Sequence, residues 1–510
     1  MARNPNLLQK QGFYNSLILY AGTGLAFFNL IVLFVTYLSP EEIGFYTILI
    51  ALTTIFAQIA SLGTTNVILR YYPYYRNDDK QDSGFVTFVV LVTLAGFVMV
   101  ALFFLIFKRP VIDFYKAKEL HSAVKASSLL VKYYDYIIPI TFFIMLYTLL
   151  EALARSVFKN ILSAFLKEVL VRIITAISVL LIAFKLADYH NFVIIFLYSN
   201  AAIALILWFS IFKGNYFKLN PITTEVTKRK REMISYGLYA VLSGGSFAMI
   251  QSVDTLVLSA LTNDAMVGVY GVFFAIAVVI NLPAKALNRT SYQIIANAFK
   301  DNDLEKIGKI YSKTSLVQSI VGCLFFIGLV ANHHNIITIL QRKNAIYEPY
   351  FDVFVIVGIA FLVDITGGLN SAIISSSKSY KLVMYLLTTG VLLCFGLNIL
   401  LIPKLGMSGA AYSYLITMFA LNFTYWLYIK VKFGLQPFTK SYLWVVLVSL
   451  ISLFVGIYLP AINNFFVDVA YRSLIVALLY LALTYWLNIS VDINELIDKA
   501  LLRHKRTNIK

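Results

Sequence analysis

Long apolar runs recur from one end of the chain to the other, separated by short polar stretches. As helices they are long enough to cross a hydrocarbon core of about 30 Å. They predict roughly fourteen spans. These lie near 12–38, 43–69, 85–107, 133–158, 161–184, 191–212, 233–260, 265–288, 314–331, 350–376, 381–402, 408–430, 442–460 and 471–488. The short alternating segments of a β-barrel are not the pattern seen. The expectation is an all-α polytopic membrane protein. The first run is too long for a signal-peptide core and lacks a small-residue cleavage pattern, so it reads as a retained helix.

The stretch YGLYAVLSGGSFAMIQSVDTLVLSA, residues 236–260, restarts the sequence. After the first span comes LSPEEIGFYT; after the seventh comes LTNDAMVGVYG. Both join a short acidic-polar turn to an aliphatic residue, a glycine, one further residue and a tyrosine. Gly44 and Tyr46 match Gly268 and Tyr270 at an offset of 224; Asp135 matches Asp352 at 217. Six spans per unit is an even number, so the units share one orientation, the plan of a parallel-repeat transporter with a cavity between halves. The expected domains are an N-lobe at 1–215, a basic linker at 216–231, a C-lobe at 232–432, two accessory helices at 433–490 and a basic tail at 491–510.

Composition agrees with the pattern. The 510 residues are 60% hydrophobic and 13% charged, with a mean hydropathy of +0.79, against about 25% charged in soluble domains. The net charge of +17 sits mostly in short loops, which fits the positive-inside bias better than nucleic-acid binding. That bias places both termini in the cytoplasm. One loop resists it: residues 108–125 fall outside, yet hold Lys108, Arg109, Lys116, Lys118 and Lys125. Their pattern suits a short surface helix. The basic run at 228–231 reads as a topology signal that also attracts anionic lipid headgroups. Cys323 and Cys394 lie inside apolar runs and the five histidines have no zinc spacing, so neither a disulfide framework nor a metal cluster is indicated.

Charged residues inside spans, which cost about 2.5–3.5 kcal/mol each to insert, and the polar residues that accompany them are the candidates for function. Asn281, Lys285 and Arg289 share one helical face around Pro283; the alternative is snorkelling at the headgroup level. Gln58 leads a polar stripe toward Arg70, a stripe that could equally be helix-packing glue. Glu151 with Arg155, and Glu168 with Arg172, stand at i,i+4 in the favourable order. They are either self-neutralised pairs or a source of two arginines for an inner vestibule. Asp254 and Asp364 are candidate coupling sites, able to trade a proton or bind Na⁺, or structural hydrogen-bond acceptors.

Three stretches, LSPEEIGFYT, QSVDTLVLSALTNDAMVGVYG and IPKLGMSGAAYSYLI, carry a resemblance over about residues 8–490. The chain resembles a polysaccharide flippase, of the O-antigen or lipid-linked oligosaccharide type, of the multidrug/oligosaccharidyl-lipid/polysaccharide exporter superfamily. The resemblance implies two six-helix lobes, two accessory C-terminal helices and alternating access in the bacterial inner membrane. It implies an undecaprenyl-diphosphate-linked oligosaccharide as cargo, moved to the outer leaflet for surface polysaccharide (lipopolysaccharide) synthesis. Other polysaccharide assembly proteins would be partners, and H⁺ or Na⁺ the coupling ion, with no other cofactor. Relatives often have a basic residue directly after the seventh-span aspartate; here it is Thr255.

An anionic diphosphate calls for arginines, whose planar fork matches phosphate oxygens. A cation-coupled multidrug exporter of the same superfamily would instead favour cavity acids, and the intramembrane charges here lean basic. A membrane-embedded polysaccharide polymerase or ligase would need a large external domain; the external loops have connector length. No phosphate-cradling glycine loop or nucleophile elbow is present, so catalysis is not expected.

Overall fold

The computed structural model describes residues 5–75, 84–121, 129–157, 160–213, 219–241, 246–342 and 344–507. Among the described residues every regular element is a helix, and eleven helices are long and apolar enough to cross a membrane. Large apolar side chains such as Leu91, Met99, Leu102, Leu105 and Ile106 point outward along one helix, an arrangement that lipid covers and water would oppose. Three expected spans fall outside those eleven for physical reasons. The helix over 160–183 carries Lys167, Glu168 and Arg172. The stretch at 233–260 is formed by Thr224–Ala240 and Ser246–Leu261, with 242–245 outside the described residues. Met407–Phe433 spans 27 residues, about 40 Å, but is studded with hydroxyl groups.

The chain forms two compact units, Met1–Val272 and Phe273–Lys510. In the first, α1 (Pro5–Phe28) continues through a π-helical turn at Asn29–Phe34. Then come α2 (Pro40–Tyr75), α3 (Phe85–His121) and α4 (Tyr134–Ser156). They are followed by α5 (160–183), α6 (Tyr189–Lys213), α7 (Thr224–Ala240) and α8 (Ser246–Leu261). Their apolar core joins Ile68, Tyr147, Leu153, Leu207, Val226 and Met233. α9 (Asp264–Val278) begins in this unit. In the second unit follow α10 (Leu282–Lys300), α11 (Leu304–Ala331), α12 (Phe351–Thr366), α13 (Asn370–Ser376), α14 (Lys381–Leu405), α15 (Met407–Phe433), α16 (Ser441–Tyr458), α17 (Phe465–Trp486) and α18 (Val491–Thr507). The accessory hairpin α16–α17 packs on α11 through Ile320, Ile327, Val448, Val476 and Tyr480.

The repeated motif starts helices and brings them together. Ser39 caps α2 in a capping box: its Oγ accepts from the Glu42 amide at 3.2 Å while Glu42 Oε2 accepts from the Ser39 amide at 2.7 Å. Asn263, 224 residues later, accepts from the Met266 amide at 2.9 Å and starts α9 the same way. The two helices then cross at their glycines. A Cβ on Gly44 would overlap the Asp264 carbonyl oxygen, and one on Gly268 would overlap that of Pro40. Residue 40 corresponds to 264 and 44 to 268, so the crossing is isologous, each motif making the same contact with the other. The repeat read in the sequence is thus a physical contact with its own local two-fold character.

Both motif helices are also interrupted. α2 breaks at Ser61–Gly63, where Leu62 and Gly63 take positive φ values of 47° and 73°. After α9, a 3₁₀ turn at Val279–Asn281 leads into α10 with Pro283 in its first turn. Elsewhere two local expectations change. Residues 108–121 are not a separate surface helix but the continuation of α3. The basic run at 228–231 lies within α7, exposed, rather than in a loop.

Candidate functional site

A cavity of about 470 Å³ opens within the first unit, between α1, α2, α4, α5 and α6. Two π-helical turns shape its wall, Asn29–Phe34 in the first spanning helix and Leu166–Leu170 in α5. Such widened turns rotate the residues after them and recur at functional sites. The first turn brings Asn29, Leu30 and Phe34 to the cavity; Lys167 comes from the second, with Val171 and Arg172 directly after it. Asn29 Nδ2 donates to the Arg172 carbonyl at 2.7 Å and ties the two segments together. The remaining wall mixes polar groups, Gln58, Thr54, Thr148, Thr175 and Asn200, with the rings of Tyr46, Tyr147 and Phe196.

Both cations are held by carboxylates that stand behind the cavity surface. Arg172 Nη2 lies 2.7 Å from Glu168 Oε2. Its other terminal nitrogen is covered, without a hydrogen-bond partner, where a Cβ on Gly22 would crowd it. Lys167 Nζ is 3.8 Å from Glu151 Oε2, a loose pair, while Arg155 holds the other Glu151 oxygen at 2.6 Å. The Lys167 ammonium also sits 5.9 Å from the Tyr147 ring centre. A partly enclosed, aromatic-walled pocket with two long cations and several carboxamides can hold a polar headgroup of net negative charge.

A separate polar centre lies in the second unit. α12 ends at Thr366, and Gly368 turns the chain with φ +60°; a side chain there would collide with Ser315. Beside this break, Asp364 accepts from Asn281 Nδ2 at 3.1 Å and from Asn422 Nδ2 at 3.3 Å. Tyr311 donates to Asn370 Oδ1. Gln318 donates to Asn288 at 2.6 Å, leaving its own Oε1 buried without a partner. The cluster thus gathers one carboxylate, Asp364, and several carboxamides at the C-terminal end of α12, and Asp364 is its one group able to take up a proton or pair with a small cation.

The structure therefore sorts the sequence candidates. Gln58 and Arg172 meet in the first-unit cavity, as Asn281 and Asp364 meet in the second unit. Both i,i+4 pairs form, but Arg155 is about half exposed and lies off the cavity wall. Arg70 ends up exposed near the end of α2, its guanidinium 4.3 Å from the Tyr236 ring centre. Asp254 is fully buried and accepts from Tyr270 Oη at 2.9 Å, so it meets the second copy of the repeat tyrosine. Lys285 and Arg289 are in α10, and their side chains lie outside the described residues. Sequence reasoning passed over Lys167, whose partner Glu151 is on another helix, and Asn29, a single carboxamide in an apolar run.

The fold is that of the MOP-superfamily transporters. The lipid II flippase MurJ in its inward closed conformation superposes with a TM-score of 0.70, at 19% identity, over 93% of this chain and 98% of that one. An inward-facing multidrug-resistance MATE transporter gives 0.65 at 14% identity, over 80% and 94%. An outward-facing MATE transporter gives 0.55 at 13%, over 85% and 98%. A comparison with curated protein sequences found no match. The family described as "Polysaccharide biosynthesis protein" matches residues 8–291, more than half of the sequence. The chain belongs to that family.

Proposed function

We propose that the protein is a flippase that carries a lipid-linked oligosaccharide across a membrane for polysaccharide synthesis. The observation that carries this reading is the cavity in which Lys167 and Arg172 stand among Gln58, Asn29 and aromatic rings. Its charge and hydrogen-bonding groups suit a sugar headgroup bearing phosphate, while a polyprenyl tail stays in lipid. Family membership and the fold support the same reading. Transport goes from the inner to the outer leaflet of the bacterial cytoplasmic membrane, with both termini cytoplasmic. Two six-helix lobes and two accessory helices, fourteen crossings in all, alternate access to the cargo.

In this cycle Arg172 binds an anionic oxygen of the cargo through the guanidinium edge now turned to Glu168. Lys167 leaves its loose pair with Glu151 to do the same. Arg70, Lys285 and Arg289 supply further positive charge for the anionic cargo. Asp364, clasped by Asn281 and Asn422, takes the coupling ion, a proton or Na⁺; Asp254 responds through Tyr270.

Deleting the gene and extracting lipids provides the test. Polyprenyl-diphosphate-linked glycan should accumulate in the inner leaflet, and the intact gene should clear it. No accumulation would defeat the reading. A second reading, a cation-coupled exporter of cationic drugs, draws on the buried carboxylate Asp254, the half-buried Asp364 and the MATE fold. It predicts that deletion sensitises cells to lipophilic cations and leaves lipid-linked glycan unchanged.

A further inference from the structure

α3 is longer than a membrane is thick. Its 37 residues extend about 55 Å, some 25 Å more than the hydrocarbon core. The start of the helix is fixed against the segment that leads into α7, the helix that carries the basic run: Gly84 packs on the backbone of Pro221 and Ile222, and Thr87 Oγ1 donates to the Asn220 carbonyl at 2.7 Å. The excess length therefore emerges at the opposite end of the unit. Phe114 lies 29 residues beyond Phe85, about 44 Å along the axis, at the outer limit of the roughly 40–45 Å that core and headgroup layers span together.

This overhang is pinned to the bundle. Tyr134 Oη donates to the Phe104 carbonyl at 2.9 Å. Lys108 pairs with Asp135 at 2.6 Å. Tyr115, nearly buried, shares a 3.0 Å hydrogen bond with Ser259. Its outer side is not finished for water. Phe103, Phe107 and Phe114 continue a single exposed stripe past the end of the hydrocarbon. Leaving the half-exposed Phe114 ring in water would forgo the rest of its burial. Flanking the stripe, Arg109 and Lys116 are exposed, two turns apart, and Lys132 is exposed close by. Among the described residues no carboxylate pairs with any of the three. Aromatic side chains beside cations without a carboxylate partner are the composition of a helix end that meets a lipid headgroup layer.

We propose that residues 108–117 of α3, with Lys132, form a docking surface for anionic phospholipid headgroups of the leaflet opposite the basic start of α7. The phenylalanines enter the acyl boundary and the cations hold the headgroup phosphates. This also accounts for basic residues where the charge bias of the other loops disfavours them. The inference rests on the chain spanning a membrane and is independent of what it transports.

The test uses the full-length protein in phosphatidylcholine vesicles doped with phosphatidylglycerol. A Phe114→Trp variant reports on the surface, and subtracting the parent's fluorescence removes the native tryptophans. Bromine-labelled phosphatidylglycerol should quench residue 114 more than equally labelled phosphatidylcholine, with an enrichment of roughly fivefold per engaged cation. Adding R109Q and K116Q should bring the two lipids to parity. Should that variant fail to fold, raising salt on the Phe114→Trp protein should erode the preference, because screening shortens the reach of these charges. Equal quenching by the two lipids with both cations in place would overturn the proposal. So would the absence of quenching by either lipid, or a preference indifferent to both salt and the double substitution.

Discussion

Arg172 and Arg155 are both the basic member of an i,i+4 pair, yet the structure gives them different surroundings. Arg172 lines the cavity with one nitrogen on Glu168 and one covered without a partner; Arg155 points outward and steadies Glu151. Under the flippase reading, R172Q should lower glycan export by about tenfold or more, the loss of a charge-assisted hydrogen bond of roughly 1.5–3 kcal/mol. R155Q should cost less than about threefold, as expected of an exposed pair worth up to about 1 kcal/mol. Export measured per unit of membrane-inserted protein checks both, and equal losses would remove Arg172 from the site. Gln58 and Arg172 were legible because a polar group inside an apolar run stands out at once. Lys167 was not, since local spacing matches Glu168 with Arg172 and says nothing of Glu151 across a helix interface. Asn29 carried no signal beyond its own polarity, and its role depends on a π-turn that no residue pattern announces.

Among the helices, two contacts decide how the bundle holds together. At the crossing of α2 and α9 the glycines allow backbone to meet backbone, each motif seated on the other's first turn. Gly44→Val or Gly268→Val should force the helices apart and destabilise the protein by about 1–3 kcal/mol, in the range of overpacking. A lowered unfolding midpoint in detergent is the readout. The accessory hairpin has its own lock. Asp468 and Arg472 on α17 are both buried, 2.7 Å apart, with Asn335 donating to Asp468 at 2.6 Å and Arg472 donating to the Gly456 carbonyl at 3.1 Å. Asp468→Ala leaves a buried guanidinium uncompensated and should cost about 3–5 kcal/mol; adding Arg472→Met should restore part of it. The glycine motif was readable because its spacing repeats. This lock was not, because the expected last span began at 471 and left Asp468 in a loop, and because its other partners come from distant turns.

At the scale of the whole chain, membrane insertion and helicity were plain from hydropathy, and eleven of the expected crossings reappear as apolar helices. The others are obscured by the charged and polar residues they carry. α5 is charged because it carries Lys167 and Arg172, and polar groups are concentrated where helices meet rather than where they face lipid. The same logic locates the proposed ion site. Asp364 lies beside a helix break with two carboxamides donating to it, and it is an ionisable group placed where a coupling ion can be taken up. If an ion gradient drives transport through this group, Asp364→Asn should abolish the response to the gradient in proteoliposomes. Slow downhill movement of cargo should persist, because Lys167 and Arg172 are untouched. Asp254→Asn, which weakens the bond from Tyr270, should leave a partial response. Imposing a Na⁺ gradient and a pH gradient separately identifies the ion. Full coupling in the Asp364→Asn protein would instead make that residue a fixed hydrogen-bond acceptor, and the driving ion would have to be bound elsewhere in the chain.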